Sequence, residues 1–242
     1  MRPGIRMVEV RAGDDALLTR VYRDLLLPHF PSNELESFDE LRSGLEKDLR
    51  LVTAVVNEDG LPMAVAVGDW SPESGVLLLA YLAVRAEARS GGLGSLLVEE
   101  VNTGWQRRLR PLLTLTELEH PLAHESDEVY GDPVARLRFY ARCGGRALDV
   151  PYFQPALGSG MDRVYGMLLV MLSGSADVGG RSGATIPPGP VQEFVERYFL
   201  DTEGEVPADP PARQLRQAME RPGGIPLLPL TDVRRLPLSV PG

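Results

Sequence analysis

The sequence predicts a mixed α/β fold. Three observations carry that prediction. Helix-like and strand-like hydrophobic patterns alternate through the first 172 residues. The strand patterns cluster early and late, which excludes a repeating βαβ wheel. One of them, Val76 to Val84, is apolar almost throughout, as suits a strand buried on both faces.

Taken in order, residues 7 to 11 read as a short strand. Leu17, Leu18, Val21, Tyr22, Leu25 and Leu26 then recur at helical spacing between Asp14 and Leu27. Pro28 and Pro31 interrupt the pattern, and a second helical stretch runs from about Asn33 to Lys47. Leu51 to Val56 and Leu61 to Trp70 form a hairpin around the turn Asn57 to Gly60, and Ser71 to Gly75 turns the chain into the strand ending at Val84. A helix from Gly92 to Leu109 carries Leu93, Leu96, Leu97, Val101 and Trp105 along one side. Its terminal arginines, Arg107, Arg108 and Arg110, complement the helix dipole on a solvated face. Leu112 to Glu119 is a strand, and Asp132 with Pro133 marks the start of a helix reaching about Cys143. Strands near Arg146 to Phe153 and Val164 to Leu172 complete the region.

Composition changes after Leu172. Residues 173–190 are dominated by Gly, Ser and Pro and read as a linker. Residues 191–242 read as a small helical C-terminal extension, with a weaker helix around Pro211 to Glu220 and a Pro-rich end. In its first helix Val191, Phe194, Val195, Tyr198 and Phe199 form a wide apolar stripe that an isolated surface helix would not keep exposed. The stripe is expected to dock, either on the chain's own body or on a second subunit in a homodimer.

The 242 residues, 43% hydrophobic and 24% charged, exclude a disordered chain or a fibre. A formal charge of −9 argues against a nucleic-acid partner. The longest apolar runs are too short to span a bilayer, and the start lacks a basic-then-apolar signal pattern. A cytoplasmic protein without a membrane partner is therefore expected. The single Cys143 excludes an intrachain disulfide, and at a predicted helix end it reads as a small core residue. His120 and His124 have ligand-like spacing, but Pro121 and a missing glutamate break the H-E-x-x-H pattern. They read as loop histidines, and no metal is expected.

The most informative segment is Tyr81 to Ser95, YLAVRAEARSGGLGS. Glycines where a strand leads into a helix let backbone approach a ligand, and the helix N-terminus offers unpaired amides suited to phosphate. Arg89 adds a planar cationic donor. No Gly-Lys-Ser/Thr follows, so this is not a Walker loop, and the glycine spacing is not that of a dinucleotide fingerprint. Taken alone, the cluster is either a packing turn or a ligand site.

In context it resembles the acyl-CoA motif of the GNAT superfamily of N-acetyltransferases, Arg/Gln-x-x-Gly-x-Gly/Ala after an apolar strand. Arg89, Gly92 and Gly94 match it, with Val84 five residues before the arginine. A second match lies in RFYARCGGR, where Tyr140, Arg142 and Gly144 resemble the family's later helix end. Gly145 departs from the usual aromatic, and Asp132–Pro133 stands where an asparagine often sits. The resemblance covers about residues 7–172 and leaves the tail outside. It implies a mostly antiparallel central sheet with splayed central strands, flanked by helices, over residues 1–172.

The same resemblance implies acetyl transfer from acetyl-CoA to a primary amine. It puts pantetheine on main-chain groups of Leu82 and Val84, and pyrophosphate on the amides of Arg89, Ser90, Gly91, Gly92, Leu93, Gly94 and Ser95. Tyr140 becomes the acid that protonates the leaving thiolate, because a phenol with a reference pKa near 10 stays protonated at neutral pH. Without the resemblance, Tyr140 reads as a buried aromatic beside Leu137. Glu117 and Glu119, two carboxylates alternating along an apolar strand, are the candidate bases; otherwise they mark a frayed, solvated strand end. The family's acceptor loops correspond to Pro28–Glu40 and His120–Asp132, both acidic here, which fits a small cationic amine. Acetylation of a protein lysine or N-terminal amine is the alternative, as is an acyl-CoA sensor without catalysis.

Overall fold

The computed structural model describes residues 4–89, 91–158, 160–180 and 183–242. The chain separates into two compact units, one of residues 1–70 and 78–109, the other of residues 71–77 and 110–242.

In the first unit, strands β1 (Ile5–Val10), β2 (Arg50–Asn57), β3 (Pro62–Ser71) and β4 (Val76–Val84) lie side by side in chain order. The pairings β1–β2 and β2–β3 are antiparallel. β2 is buried on both faces, and its alternating side chains meet different neighbours. Val52, Ala54 and Val56 join the core formed with α1 (Asp15–Val21) and α2 (Phe38–Glu46). On the other face, Thr53 Oγ1 accepts a hydrogen bond from Trp105 Nε1 at 3.1 Å. Trp105 belongs to the helical run α3 (Leu93–Glu100), a π turn (Val101–Trp105) and α4 (Gln106–Leu109). Helix α2 begins only at Phe38, because Ser37 and Glu40 form a capping box that fixes its start.

A partly buried ion cluster ties the irregular segment before α2 to the sheet. Arg50 donates from Nη2 to Glu36 Oε2 at 3.0 Å and from Nη1 to Asp69 Oδ1 at 2.5 Å. The backbone N–H of Glu36 donates to the Tyr81 hydroxyl at 2.9 Å, and its carbonyl accepts from Tyr22.

In the second unit the strand order is β5 (Leu113–Glu119), β7 (Met167–Gly174), β6 (Arg146–Leu148), β9 (Ile225–Pro229) and β8 (Thr185–Ile186). The pairings β5–β7, β7–β6, β6–β9 and β9–β8 are antiparallel, with Glu117 opposite Leu169 and Glu119 opposite Met167. β6 is shorter than the sequence pattern suggests. Beyond Leu148 the amides of Val150 and Tyr152 bond only two residues back, and Pro151 has no N–H to offer a ladder.

The Gly/Ser/Pro-rich stretch holds the end of β7, a 3-10 turn at Ala176–Val178, β8 and the first turn of α6 (Pro188–Glu203). α6 buries Val191, Phe194, Val195 and Phe199, and α7 (Pro210–Met219) follows it. Arg163 fastens both helices. It donates to Glu203 from Nε at 2.8 Å and from Nη2 at 2.5 Å, donates to Asp209 at 2.5 Å, and lies 5.3 Å over the Phe153 ring. Asp209 in turn caps α7 through the Ala212 N–H. Among the described residues, no helix is long and apolar enough to cross a membrane.

Candidate active site

At the end of β4, Leu82 and Val84 are the half-buried residues of an alternating pattern. Arg85 then anchors the chain: its N–H donates to Met63 O at 2.9 Å and its Nε to Pro62 O at 3.1 Å. A 3-10 turn at Ala86–Ala88 leads to Arg89, which is exposed. The Gly91 amide closes this turn on Ala88 O.

Gly92 is the N-cap of α3 at φ 81° and ψ 2°, a left-handed conformation that an L side chain rarely adopts. A Cβ there would meet open space, so torsion demands the glycine. Among the described residues no side chain caps the helix start, and first-turn amides have no intrahelical acceptor. Leu93 turns its side chain into the core and offers the surface only backbone, whereas Gly92 and Ser95 are exposed and Gly91 and Gly94 half-buried. Ser90 lies outside the described residues. Burial lowers the pKa of His29, and the charges of Arg89 and Arg85 push it the same way, against the Leu25 carbonyl. The mouth of α3 thus combines open space at Gly92, first-turn amides and the exposed guanidinium of Arg89, features suited to a diphosphate.

The carboxylates of β5 are not frayed. Glu117 accepts from the Tyr152 hydroxyl at 2.5 Å and from Gln154 Nε2 at 3.3 Å. Glu119 pairs with Arg136 Nη1 at 2.6 Å and lies 3.7 Å from His124 Nδ1. Arg136 also donates to Tyr130 O, tying the loop before α5 (Pro133–Arg142) to the strand. Sequence reading missed Tyr152, Gln154 and Arg136, because no local pattern reports a partner 17 to 37 residues away.

Tyr140, on α5, is buried beside Thr116 of β5 and edge-on to Phe139 at 5.0 Å. Burial pushes its phenol up to about 12, against the Thr116 side chain and the Arg136 charge, which pull it down. His120 is buried too, and desolvation lowers its pKa. Among the described residues, no group of three or more His, Cys, Asp or Glu could hold a metal ion.

The acidic loops are partly spent on their own structure. Glu36 is bound to Arg50, Glu40 completes the capping box, and Asp39 pairs with Arg42. Asp127 accepts from the Val129 and Tyr130 amides, and Asp132 caps α5. Glu125 and Glu128 remain exposed.

No protein-family model matches the chain. No curated protein sequence matches it either. Solved structures do. A GNAT-family protein from Bacteroides thetaiotaomicron aligns over 69% of this chain and 85% of its own, at 21% identity and a TM-score of 0.52. The chain has the GNAT acetyltransferase fold. A spermidine N-acetyltransferase from Vibrio cholerae aligns over 71% and 95% of the two chains, at 12% identity and TM-score 0.48. The ribosomal-protein-S18-alanine N-acetyltransferase from Escherichia coli aligns over 69% and 92%, at 15% identity and TM-score 0.47.

The GNAT fold frames one departure noted in the sequence. Gly144, at φ 84°, ends α5 in the left-handed conformation typical of the residue after a helix C-cap. Gly145 follows where the family motif carries an aromatic. A Cβ at Gly145 would stand 3.0 Å from Tyr140 O, 3.1 Å from Val170 Cγ1 and 3.3 Å from Leu230 Cδ1. Leu230 comes from the tail, so an extension residue lies against the space beside Gly145.

Proposed function

We propose that the protein is an acyl-CoA-dependent N-acetyltransferase acting on a primary amine. The observation that carries the reading is the uncapped, open mouth of α3 at Gly92, next to Arg89, within a GNAT fold. Arg89 and the amides from Gly91 to Ser95, with Ser90 in the same run, would hold the pyrophosphate, and Leu82 and Val84 the pantetheine arm. Bound acetyl-CoA supplies the activated thioester.

Glu117 takes the proton that the amine sheds as the nitrogen–carbon bond forms. Tyr140 gives its proton to the sulfur released when the carbon–sulfur bond breaks, and solvent restores both groups. A phenol near pKa 12 keeps its proton throughout the range in which amines become nucleophilic. Glu119, committed to Arg136, acts as a brace and not as the base. Gln154 Oε1 is buried without a hydrogen-bond partner among the described residues, an acceptor open to an amine N–H. The exposed Glu125 and Glu128 favour a small cationic acceptor.

A second reading, acyl-CoA binding without turnover, draws on the complete burial of Tyr140. Acetyl-CoA-dependent thiol release against a broad panel of amines separates the two. Turnover with any amine establishes the enzyme, whereas binding without release supports the sensor. No acetyl-CoA binding at all overturns both.

A further inference from the structure

One of the donors that hold the carboxylate of Glu117, Tyr152, is itself bonded to a residue at the far end of the chain. Tyr152 is fully buried, and its hydroxyl donates to Glu117 Oε1 at 2.5 Å. The backbone at Tyr152 lies between the end of β6 at Leu148 and an antiparallel bridge of Gln154 with Val164, and its own amide reaches back to Val150 O at 2.8 Å. Ser239 takes the carbonyl. Its buried Oγ donates to Tyr152 O at 2.5 Å and accepts from the Gly166 N–H at 2.9 Å.

Gly166 is itself pinned to the end of β5. Its carbonyl accepts from the His120 N–H at 2.8 Å, and a Cβ there would overlap Ala123 at 2.3 Å. One serine hydroxyl therefore connects three segments that converge behind Glu117: the Tyr152 loop, the turn entering β7 and the C-terminal segment.

We propose that Tyr152 is a positioning residue for Glu117 and that Ser239 holds Tyr152 in register, making the C-terminal segment part of the proton-accepting apparatus. The inference rests on the reading of Glu117 as the base. A carboxylate in a partly buried strand samples several rotamers unless both oxygens are engaged. Here a phenol takes one oxygen and the Gln154 amide the other. Neither of these two donors carries a charge, whereas Glu119 faces the guanidinium of Arg136. A hydrogen bond donated to the charged form favours that form, so losing it must make Glu117 easier to protonate. The other groups to reckon with are Gln154 in the same loop and Tyr198 of α6, whose phenol acts on Tyr152.

The test uses the full chain carrying ¹³C-labelled glutamate carboxyls, with the Glu117 signal assigned by Glu117→Gln. In Tyr152→Phe the Glu117 titration is expected to move to higher pH, the acidic limb of kcat/KM to follow it, and kcat to fall about tenfold, with KM for acetyl-CoA unchanged. Ser239→Ala should move the titration in the same direction by less, while Leu238→Ala, at an exposed neighbour in the same segment, leaves it in place. If Tyr152→Phe does not fold, Ser239→Ala carries the same comparison. A Glu117 titration unmoved in both Tyr152→Phe and Ser239→Ala overturns the positioning role, even if both lower the melting temperature. A titration that moves while Glu117→Gln keeps full kcat upholds the positioning and instead refutes Glu117 as the base.

Discussion

The turn before α3 and the strand β5 bring opposite kinds of polar group to the surface of their own units. The turn presents backbone N–H donors without a side-chain cap, gathered by a glycine in a left-handed conformation. β5 presents carboxylates whose oxygens are already engaged by Tyr152, Gln154 and Arg136. Uncapped donors suit the binding of an anion that arrives from outside. Engaged carboxylates suit a group that must hold one orientation while a proton is transferred. Within β5 the contrast recurs on a smaller scale: a phenol and an amide donate to Glu117, whereas a guanidinium pairs with Glu119. Binding and proton handling should therefore respond to different mutations.

The largest expected separation comes from Tyr140→Phe. It deletes one hydroxyl, keeps the ring, and should lower kcat roughly 100- to 10,000-fold with acetyl-CoA affinity intact. A change under about twofold in single-turnover rate would remove Tyr140 from the mechanism. Gly94→Asp should do the reverse, weakening acetyl-CoA binding about 100-fold through charge repulsion at an effective dielectric near that of a protein surface. Calorimetry reads the affinity and circular dichroism checks the fold; undiminished affinity would show that the turn is mere packing.

Glu117→Gln and Glu119→Gln sharpen the contrast within β5. The first should abolish the acidic limb of the pH–rate profile. The second should keep that limb and instead lower the melting temperature by loosening Arg136 and the loop it ties. Identical profiles in both variants would place the base elsewhere.

Smaller effects test the tail's place beside Gly145. Gly145→Ala should destabilise by about 1–3 kcal/mol through overpacking. Combined with Leu230→Ala, the loss should be less than the sum, because the second change vacates space that the first needs. Strict additivity in denaturant melts would break the link.

The smallest effect concerns acid. His29 in one unit and His120 in the other are both held below their ordinary pKa by burial. Their contribution to stability is present while they are neutral and declines as pH falls below the unfolded value of about 6.5. Replacing either with Gln should flatten the melting temperature between pH 7 and 5.5.

The sequence by itself determined much of the first unit. The two apolar runs flanking the Asn57–Gly60 turn, the apolar run of β4 and the glycines before α3 are local signals, set by turn residues, side-chain polarity and torsions only glycine adopts freely. The helix start at Asp132–Pro133 and the apolar stripe of α6 were legible for the same reason. Local pattern does not reveal β8, which is two residues long and lies in the Gly/Ser/Pro-rich stretch, or β9, which contains prolines and follows α7. Both are strands only because β6 offers β9 an edge and β9 offers β8 one. Periodicity marked Glu117 and Glu119 as unusual, but what each does depends on Tyr152, Gln154 and Arg136. Only the tertiary fold decided those partners, because a carboxylate's role is set by the groups within hydrogen-bond reach, and here they come from segments distant along the chain.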